Sequence, residues 1–211
     1  MDAYRLVTLL GGPVVRWWGR LRVSGLEHLP QTGPVLLVAN HDSYWDPVAI
    51  AVAAAPRRAP IRALAKDSLW RAPLLGRAMV QMRHIPVARG AGDLAALEAA
   101  IAALRQGDCL GIFPEGTRSE GRVLRARSGL GRIAQAVPEA TVVCARVIGT
   151  TDVVRFPHRP RIAVEFFRPA SGQPQPGENA ARLGKRLLAE IREGAPPAVA
   201  GRRQKAKNPS A

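Results

Sequence analysis

The sequence predicts a single α/β domain with a largely parallel central sheet flanked by helices, and an N-terminal amphipathic helical segment in front of it. Three observations support this fold class. Short apolar runs typical of buried strands alternate with segments of helical periodicity. The connections between them are short. The length of 211 residues, 47% of them hydrophobic, suits one sizeable domain with a buried core.

The chain is predicted to have three parts. Residues 1–19 form an amphipathic helix with a tryptophan pair beside arginines, a composition that suits the headgroup level of a bilayer. Packing of this helix on the domain is an equally good interpretation. Residues 20–194 form the main domain, and residues 195–211, rich in Pro and Ala and then basic, are predicted to be a disordered tail. No stretch reaches the roughly 18 to 20 apolar residues that a spanning helix requires, and no signal peptide is recognised.

Seven segments are predicted to be extended because they are continuously apolar or alternate in polarity: 20–23, 35–39, 61–65, 84–89, 109–113, 141–148 and 162–166. Two helices are clear, at 93–105 and 178–193. Each of them ends near a glycine. Shorter helical segments are predicted from residue 47, after residue 66 and over 74–80. In the first clear helix Leu94, Leu97, Ile101 and Leu104 make one apolar stripe, and in the second Leu183, Leu187, Leu188 and Ile191 are predicted to face inward.

The charge balance is unusual, with 31 basic and 16 acidic residues and a net charge of +15. The basic residues cluster in two windows, 57–89 and 118–132, which favours an anion-binding surface. The partner could be a phosphate-bearing ligand, an anionic lipid or a nucleic acid. Nucleic acid is the remote alternative, because no binding motif is present and only 5% of the residues are aromatic.

Cys109 and Cys144 lie within apolar stretches and are predicted to be buried core residues of a protein from a reducing compartment. Their spacing gives no zinc site.

The polar turn Asn40-His41-Asp42-Ser43-Tyr44-Trp45-Asp46 follows the predicted strand 35–39. Histidine suits general-base catalysis, and a carboxylate five residues on can fix its tautomer and stabilise the imidazolium. In the alternative interpretation Asp46 is the N-cap of a helix that continues with Pro47, and His41 is a turn residue.

A second polar turn, Phe113-Pro114-Glu115-Gly116-Thr117-Arg118-Ser119, follows the predicted strand 109–113. The Arg118 guanidinium matches phosphate oxygens, and the N–H groups of such a turn can form an anion nest. A structural pair of Glu115 with Arg118 is the alternative. Because parallel sheets bind ligands at the carboxyl ends of their strands, His41 and Glu115 are expected to share one cleft.

Together, Asn40-His41-x4-Asp46 and Phe113-Pro114-Glu115-Gly116-Thr117-Arg118-Ser119 closely resemble the motifs of the glycerolipid acyltransferase family, the lysophosphatidate (1-acylglycerol-3-phosphate) acyltransferases and their relatives. The resemblance covers roughly residues 20 to 170. The segment from Gly76 to Arg89 resembles the family's second block, and residues 142–150 resemble the fourth, with Cys144 where a proline is usual.

The resemblance implies an acyl-CoA-dependent O-acyltransferase of phospholipid biosynthesis that acylates the free hydroxyl of lysophosphatidate, with residues 20–194 as the acyltransferase domain. Glycerol 3-phosphate, another lysophospholipid or a polyol lipid are alternative acceptors. His41 is implied as the general base and Asp46 as the residue that orients it. The implied substrate and phosphate site consists of Arg89, Glu115, Gly116, Thr117 and Arg118.

No cofactor and no metal are expected, because an acyl-CoA or acyl carrier protein thioester is the donor substrate and is already activated. The expected partners are acyl-CoA, a lysophospholipid acceptor and an anionic membrane surface, with no specific nucleic acid. The expected location is the cytoplasmic face of the cell membrane, as a peripheral or monotopic protein. A catalytically silent membrane-surface protein is disfavoured, because the motif residues are intact. His84 and His158 are predicted to be structural or solvated.

Overall fold

The computed structural model describes residues 3–88, 93–157 and 159–199. Seven strands of this part of the chain form one sheet in the order β1-β7-β6-β2-β5-β3-β4. Neighbouring strands are parallel except β6 and β7, which are antiparallel. The predicted α/β fold with a largely parallel sheet is therefore confirmed. The strands are β1 (Arg22–Ser24), β2 (Val35–Ala39), β3 (Ile61–Lys66), β4 (Ile85–Val87), β5 (Cys109–Ile112), β6 (Thr141–Ile148) and β7 (Ala163–Phe167).

The helices flank both faces of this sheet. Short 3₁₀ turns at Leu26–His28, Asp67–Arg71 and Thr150–Asp152 complete the connections. Helix α1 continues into one π-helical turn, Val14–Trp18. The helices are α1 (Ala3–Pro13), α2 (Asp46–Ala54), α3 (Pro73–Gln81), α4 (Leu94–Arg105), α5 (Gly129–Ala136) and α6 (Ala180–Gly194).

The central strand β2 is buried on both faces. Val35, Leu37 and Ala39 pack with residues of α2 on one face. Leu36 and Val38 pack with residues of α4, α5 and α6 on the other. Because both faces need apolar side chains, the strand is a continuous apolar run and does not alternate.

Helix α6 forms as the sequence predicts, and helix α5 has no counterpart among the predicted elements. The Asn179 side chain caps α6 by accepting hydrogen bonds from the N–H groups of Ala181 and Arg182. In α5, Gly131 lies directly against the backbone of Ala180, where any Cβ would overlap. Close approach to α6 requires this glycine, and glycine also weakens the helical signal of the segment.

The apolar stripe of α4 is only partly buried. Leu94 is 63% exposed, Leu97 and Ile101 are partly buried, and only Leu104 of the four is fully buried. The helix instead turns Ala96, Ala100 and Ala103 toward the core. Small side chains let a helix lie close to a sheet, so larger residues of this helix are left at the edges of the contact.

Helix α1 packs on the domain through one side. Its residues Ala3 and Tyr4 are buried and pack with Ala51 and Met82. Its other side leaves a row of large apolar residues exposed: Leu6, Leu9, Leu10 and, in the π-helical turn, Trp17. In the ranges that the structure describes, no helix combines the length and the apolar character needed to cross a bilayer.

The chain leaves β2, β5 and β6 at the same edge of the sheet, because these strands are neighbours and parallel. The described chain after α6 reaches this edge too. Ala195 is buried, and the N–H of Ala198 lies 3.4 Å from Asp42 Oδ1. Packed structure thus extends past residue 194, where the tail was predicted to begin, and residues 200–211 of that predicted tail lie outside the described residues.

Candidate active site

His41 and Asp46 are in direct contact. His41 Nδ1 lies 2.9 Å from Asp46 Oδ2, and the Asp46 carboxylate is completely buried. A carboxylate only accepts hydrogen bonds, so Nδ1 carries the imidazole proton and Nε2 is the basic nitrogen. Nε2 has no hydrogen-bond partner among the described residues. The pair therefore has the geometry of an oriented general base.

The turn between the two residues is built around the same carboxylate. Asp46 Oδ2 also accepts the backbone N–H groups of Asp42 and Ser43, both at 2.7 Å. The Thr150 hydroxyl donates to Asp46 Oδ1. Helix α2 has Trp45 at its N-cap and no side-chain cap. The alternative interpretation of Asp46 as a helix cap is therefore wrong, because its oxygens bind the preceding turn.

Asn40 anchors this turn to the sheet. Its side-chain amide donates to the carbonyl of Val147 and accepts the Val147 N–H, both at 2.8 Å. The amide thus pairs with β6 as a further strand residue would, at the point where β2 ends. Asn40 Nδ2 also lies 2.9 Å from Asp42 Oδ2.

The second turn holds His41 from the other side. The His41 N–H donates to Glu115 Oε2 at 2.9 Å, and the His41 carbonyl accepts the Ser119 N–H at 2.7 Å. The imidazole stacks on the Phe113 ring, with centroids 4.2 Å apart and planes inclined by 19°. The two motifs predicted to share one cleft are thus in contact, and their contact fixes the backbone and the ring of His41.

Glu115 pairs with Arg192 of α6 rather than with Arg118. The Glu115 carboxylate is completely buried, and its Oε1 lies 2.5 Å from Arg192 Nη2. Burial raises the pKa of Glu115, and the Arg192 charge opposes that rise. Burial also acts to lower the pKa of Arg192, but the hydrogen bonds to Asp42 and the charge of Glu115 outweigh it and leave that pKa raised. Arg192 is not among the predicted site residues, because in the sequence it is only a charge in the last turn of a helix.

The tip of the second turn, residues 116–118, presents backbone N–H donors. Gly116 has φ +69°, and the N–H groups of Thr117 and Arg118 have no acceptor among the described residues. The Arg118 guanidinium lies 3.9 Å from the centroid of the Tyr44 ring and 3.4 Å from Glu120. The Arg127 side chain lies directly beside Gly116. This tip can accept an anion.

Part of the first basic window is used within the fold. Arg58 is buried and donates to the carbonyls of Gly33 and Gly107, both at 2.7 Å. Arg62 pairs with Asp108 at 2.7 Å. Arg89, the remaining predicted phosphate contact, lies outside the described residues, and so does His158.

His84 is structural, as predicted. Its Nδ1 accepts the Ala63 N–H at 3.1 Å, and burial together with the charge of Arg62 lowers its pKa to about 4. Cys109 and Cys144 are buried and are not joined in a disulfide. Across residues 3–88, 93–157 and 159–199, no three His, Cys, Asp or Glu side chains are grouped as a metal site would require.

The sequence that forms this site is similar to known acyltransferases. The family model described as "Acyltransferase" matches residues 20–150. A 1-acyl-sn-glycerol-3-phosphate acyltransferase of Borreliella burgdorferi is 36% identical over 104 residues, 48% of this chain and 40% of the relative. A lyso-ornithine lipid O-acyltransferase of Pseudomonas aeruginosa is 36% identical over 134 residues, 58% of this chain and 48% of the relative.

The fold has a counterpart among solved structures. The crystal structure of the 1-acyl-sn-glycerophosphate acyltransferase PlsC from Thermotoga maritima aligns with a TM-score of 0.66 and 21% sequence identity. The alignment covers 92% of this chain and 82% of that one. In the sequence comparison, the chain spans about two fifths of the length of the first curated relatives it matches.

Proposed function

The chain belongs to the acyltransferase family, and we propose that it is an O-acyltransferase of phospholipid biosynthesis that transfers a fatty acyl group from a thioester donor to the free hydroxyl of lysophosphatidate. One observation carries this proposal. His41 presents, at the carboxyl end of β2, an Nε2 that has no partner in the part of the chain that the structure describes, while Nδ1–H is held 2.9 Å from the buried Asp46 carboxylate. This arrangement suits removal of a proton from an alcohol.

In the proposed reaction, His41 Nε2 takes the proton of the acceptor hydroxyl while the hydroxyl oxygen attacks the thioester carbonyl carbon. The C–S bond then breaks, and the leaving thiolate receives that proton from the imidazolium. The products are the new ester and free CoA, or the free thiol of a carrier protein, and His41 is neutral again. Asp46 holds the tautomer and stabilises the transient imidazolium. The thioester is already activated, so no acyl-enzyme is needed.

The proposed phosphate site is the tip of the second turn. The N–H groups of Thr117 and Arg118 have no acceptor within residues 3–88, 93–157 and 159–199. Together with the glycine conformation at Gly116 and the Arg118 guanidinium, they suit an anion. Arg127, beside Gly116, is a further cation for this site. Glu115 shapes the site by holding the His41 N–H. Arg89 remains a proposed contact on the basis of its sequence block alone.

A second acceptor class has its own support. The similarity to a lyso-ornithine lipid O-acyltransferase favours an acceptor whose head group carries no phosphate. The chemistry at His41 would be the same, since both acceptors offer a hydroxyl. Arg118 and Thr117 would then contribute little to acceptor binding. Substitutions in this turn should therefore weaken binding of lysophosphatidate and leave binding of a phosphate-free acceptor unchanged.

We place the reaction at the cytoplasmic face of the cell membrane. One side of α1 exposes Leu6, Leu9 and Leu10, and the Trp17 side chain is 82% exposed. The exposed Phe156 ring stacks on Trp18. Aromatic and aliphatic residues beside arginines suit the interface of an anionic bilayer, and each basic residue near it is worth about 1 kcal/mol. Binding to vesicles should rise with anionic lipid content and weaken with salt. Equal binding to neutral vesicles would contradict this location.

The deciding experiment is acyl transfer from a long-chain acyl-CoA, measured as free thiol release and as lipid product. Lysophosphatidate, lyso-ornithine lipid and glycerol 3-phosphate are compared as acceptors, for the wild type and His41→Ala. Losing a general base costs about 10²- to 10⁴-fold in rate. Phosphatidate formed by the wild type and lost in the variant supports the proposal.

Two results would contradict parts of it. Product only with lyso-ornithine lipid would reassign the acceptor and leave the chemistry unchanged. Full activity in a folded His41→Ala variant would eliminate the proposed base. His84→Ala is the matched control, because His84 binds a strand N–H and has no contact with either motif.

A further inference from the structure

Arg192 uses all five of its N–H donors inside the protein. Nη1 and Nη2 bind the two oxygens of Asp42 at 2.8 and 3.0 Å. Nε and Nη2 bind Glu115 Oε1 at 3.1 and 2.5 Å. The second donor of Nη1 binds the Ala195 carbonyl at 3.1 Å. Arginine has five N–H donors in a fixed fork, so every donor of this side chain is used in a hydrogen bond within the protein.

We propose that Arg192 is a positioning residue of the acyltransferase site, which sets the place of His41 by joining Asp42 and Glu115. This inference rests on the proposed function, because its main readout is acyl transfer. Arg192 lies outside residues 20–150, which the family model matches. The proposed role therefore adds a part of the chain that the motifs do not include.

The path from Arg192 to His41 is short on both sides. On one side, Glu115 Oε1 binds Arg192 and Glu115 Oε2 accepts the His41 N–H at 2.9 Å. On the other side, the guanidinium binds the Asp42 carboxylate, and the backbone N–H of Asp42 donates to Asp46. A shift of either carboxylate would therefore move the histidine relative to its orienting aspartate.

The charges make this bridge necessary. The side chains of Asp42 and Glu115 are 4% and 0% exposed, and both bind the same guanidinium. Without that cation two buried carboxylates would face each other unpaired, and one of them would have to take up a proton or move toward water. Either change weakens the hold on the His41 N–H.

Arg192 also binds the chain that follows α6. Its contact with the Ala195 carbonyl turns the backbone toward the site, where the Ala198 N–H reaches Asp42 Oδ1 at 3.4 Å. The Val199 side chain lies against Gly121, just after the second turn. The chain that follows α6 thus packs beside Asp42, and this contact helps to keep that carboxylate from water.

A merely structural ion pair is the competing explanation, and the same helix supplies its control. Arg186 also makes five hydrogen bonds, to Glu178, Ser171, Gly172 and Gln173. Its side chain is 19% exposed, against 12% for Arg192. None of its partners belongs to either motif. Removal of Arg186 therefore measures what a buried arginine of α6 contributes to stability alone.

The test compares Arg192→Met, Arg192→Lys and Arg186→Met, assayed at a temperature at which circular dichroism shows each variant to be folded. For Arg192→Met we expect kcat for acyl transfer to fall about 10²-fold, as misplacement of a catalytic group does. The KM values should stay within about threefold, because no substrate contact is lost. Arg192→Lys should recover only part of kcat, since an ammonium cannot replace the planar fork. Arg186→Met should lower the melting temperature and leave kcat unchanged.

A second readout does not depend on activity. In ¹⁵N-labelled protein, the His41 amide signal and the imidazole nitrogen signals report the hydrogen bond to Glu115 and the tautomer held by Asp46. Both sets of signals should shift in Arg192→Met and stay in place in Arg186→Met. In the double variant Glu115→Gln/Arg192→Met, one of the two unpaired carboxylates is removed and its repulsion of Asp42 is relieved, so kcat should rise at least about fivefold above that of Arg192→Met.

The outcomes separate the two proposals. A wild type that acylates none of the acceptors overturns the proposed function, while the His41 signals still test the role of Arg192. Unchanged kcat and unchanged His41 signals in folded Arg192→Met overturn the positioning role. If Arg192→Met does not fold, Arg192→Lys decides, because wild-type kcat and wild-type His41 signals in that variant would equally refute the proposal.

Discussion

Replacement of Asp46 by asparagine tests the core of the proposed mechanism. The substitution keeps the shape of the side chain and removes its charge. One amide oxygen can still accept from His41 Nδ1 and from the N–H groups of Asp42 and Ser43, where Asp46 Oδ2 does so now. The amide nitrogen would face the Thr150 hydroxyl, which can accept as well as donate. The fold should therefore survive, with a loss of about 1–2 kcal/mol in unfolding free energy.

The expected kinetic effect follows from the geometry. The Nδ1 to Oδ2 distance is 2.9 Å. With the two charge centres about 4 Å apart and an effective dielectric constant of about 20, the carboxylate stabilises the imidazolium by about 4 kcal/mol. Loss of that energy in the transition state corresponds to a fall in kcat of about 10³-fold. Thr150→Val removes only one hydrogen bond to the carboxylate, and a smaller loss of about tenfold is expected.

The assay is the initial rate of ester formation at saturating acyl-CoA and lysophosphatidate, with unfolding by denaturant measured in parallel. Asp152→Asn is the matched control: it makes the same chemical change two residues beyond Thr150, at a partly exposed carboxylate paired with Arg155 at 3.0 Å. Its kcat should equal that of the wild type. A folded Asp46→Asn variant that keeps kcat within about tenfold of the wild type would refute the assignment of Asp46 as the orienting and stabilising carboxylate.

Three further predictions concern stability and acceptor binding. The pKa of His84 is about 4 in the folded protein against 6.5 normally, so its neutral form stabilises the fold above pH 6.5. This stabilisation should be lost progressively as the pH falls from 6.5 through 4, by about 3 kcal/mol in total. Denaturant unfolding of the wild type and His84→Gln from about pH 7.5 to about pH 3.5 would measure it. Gly116→Ala places a Cβ 2.6 Å from Arg127 Nε at φ +69°. We expect a loss of about 1 kcal/mol in unfolding free energy and a KM for lysophosphatidate about fivefold higher in steady-state assays. Gly131→Ala forces a Cβ into the backbone of Ala180 and should lower the unfolding free energy by about 2 kcal/mol in denaturant titrations.

Each of these predictions has a control in the chain. His84→Gln should flatten the pH dependence relative to the wild type, and parallel curves would contradict the assignment. Gly172 also has positive φ, at +85°, but has no neighbour within 4 Å of a Cβ, so Gly172→Ala should share the strain and leave KM unchanged. Gly129→Ala, at an open position of α5, should be neutral or stabilising. Equal costs at Gly129 and Gly131 would contradict the helix contact.

Local signals in the sequence determined much of the fold. The apolar stretches 35–39 and 141–148 indicated strands, and the structure has β2 and β6 there, with every residue of β2 buried. The Asn179 cap and the inward leucines of α6 lie within a few residues of one another, so periodicity alone could locate that helix. The two polar turns were recognisable because each follows a strand directly and combines residue types that chemistry requires together.

Tertiary structure decided which partner each charged residue takes. Glu115 lies 77 positions from Arg192 and Asp42 lies 150 positions from it, so no local pattern connects them. Arg118, only three residues away, was the obvious partner for Glu115, yet the turn directs Glu115 inward and Arg118 outward over Tyr44. The inward face of α4 was likewise decided by fit, because its alanines allow the helix to approach the sheet. Sequence specifies which groups are available, and the parallel order of the strands decides which of them meet, because it carries distant turns to one edge of the sheet.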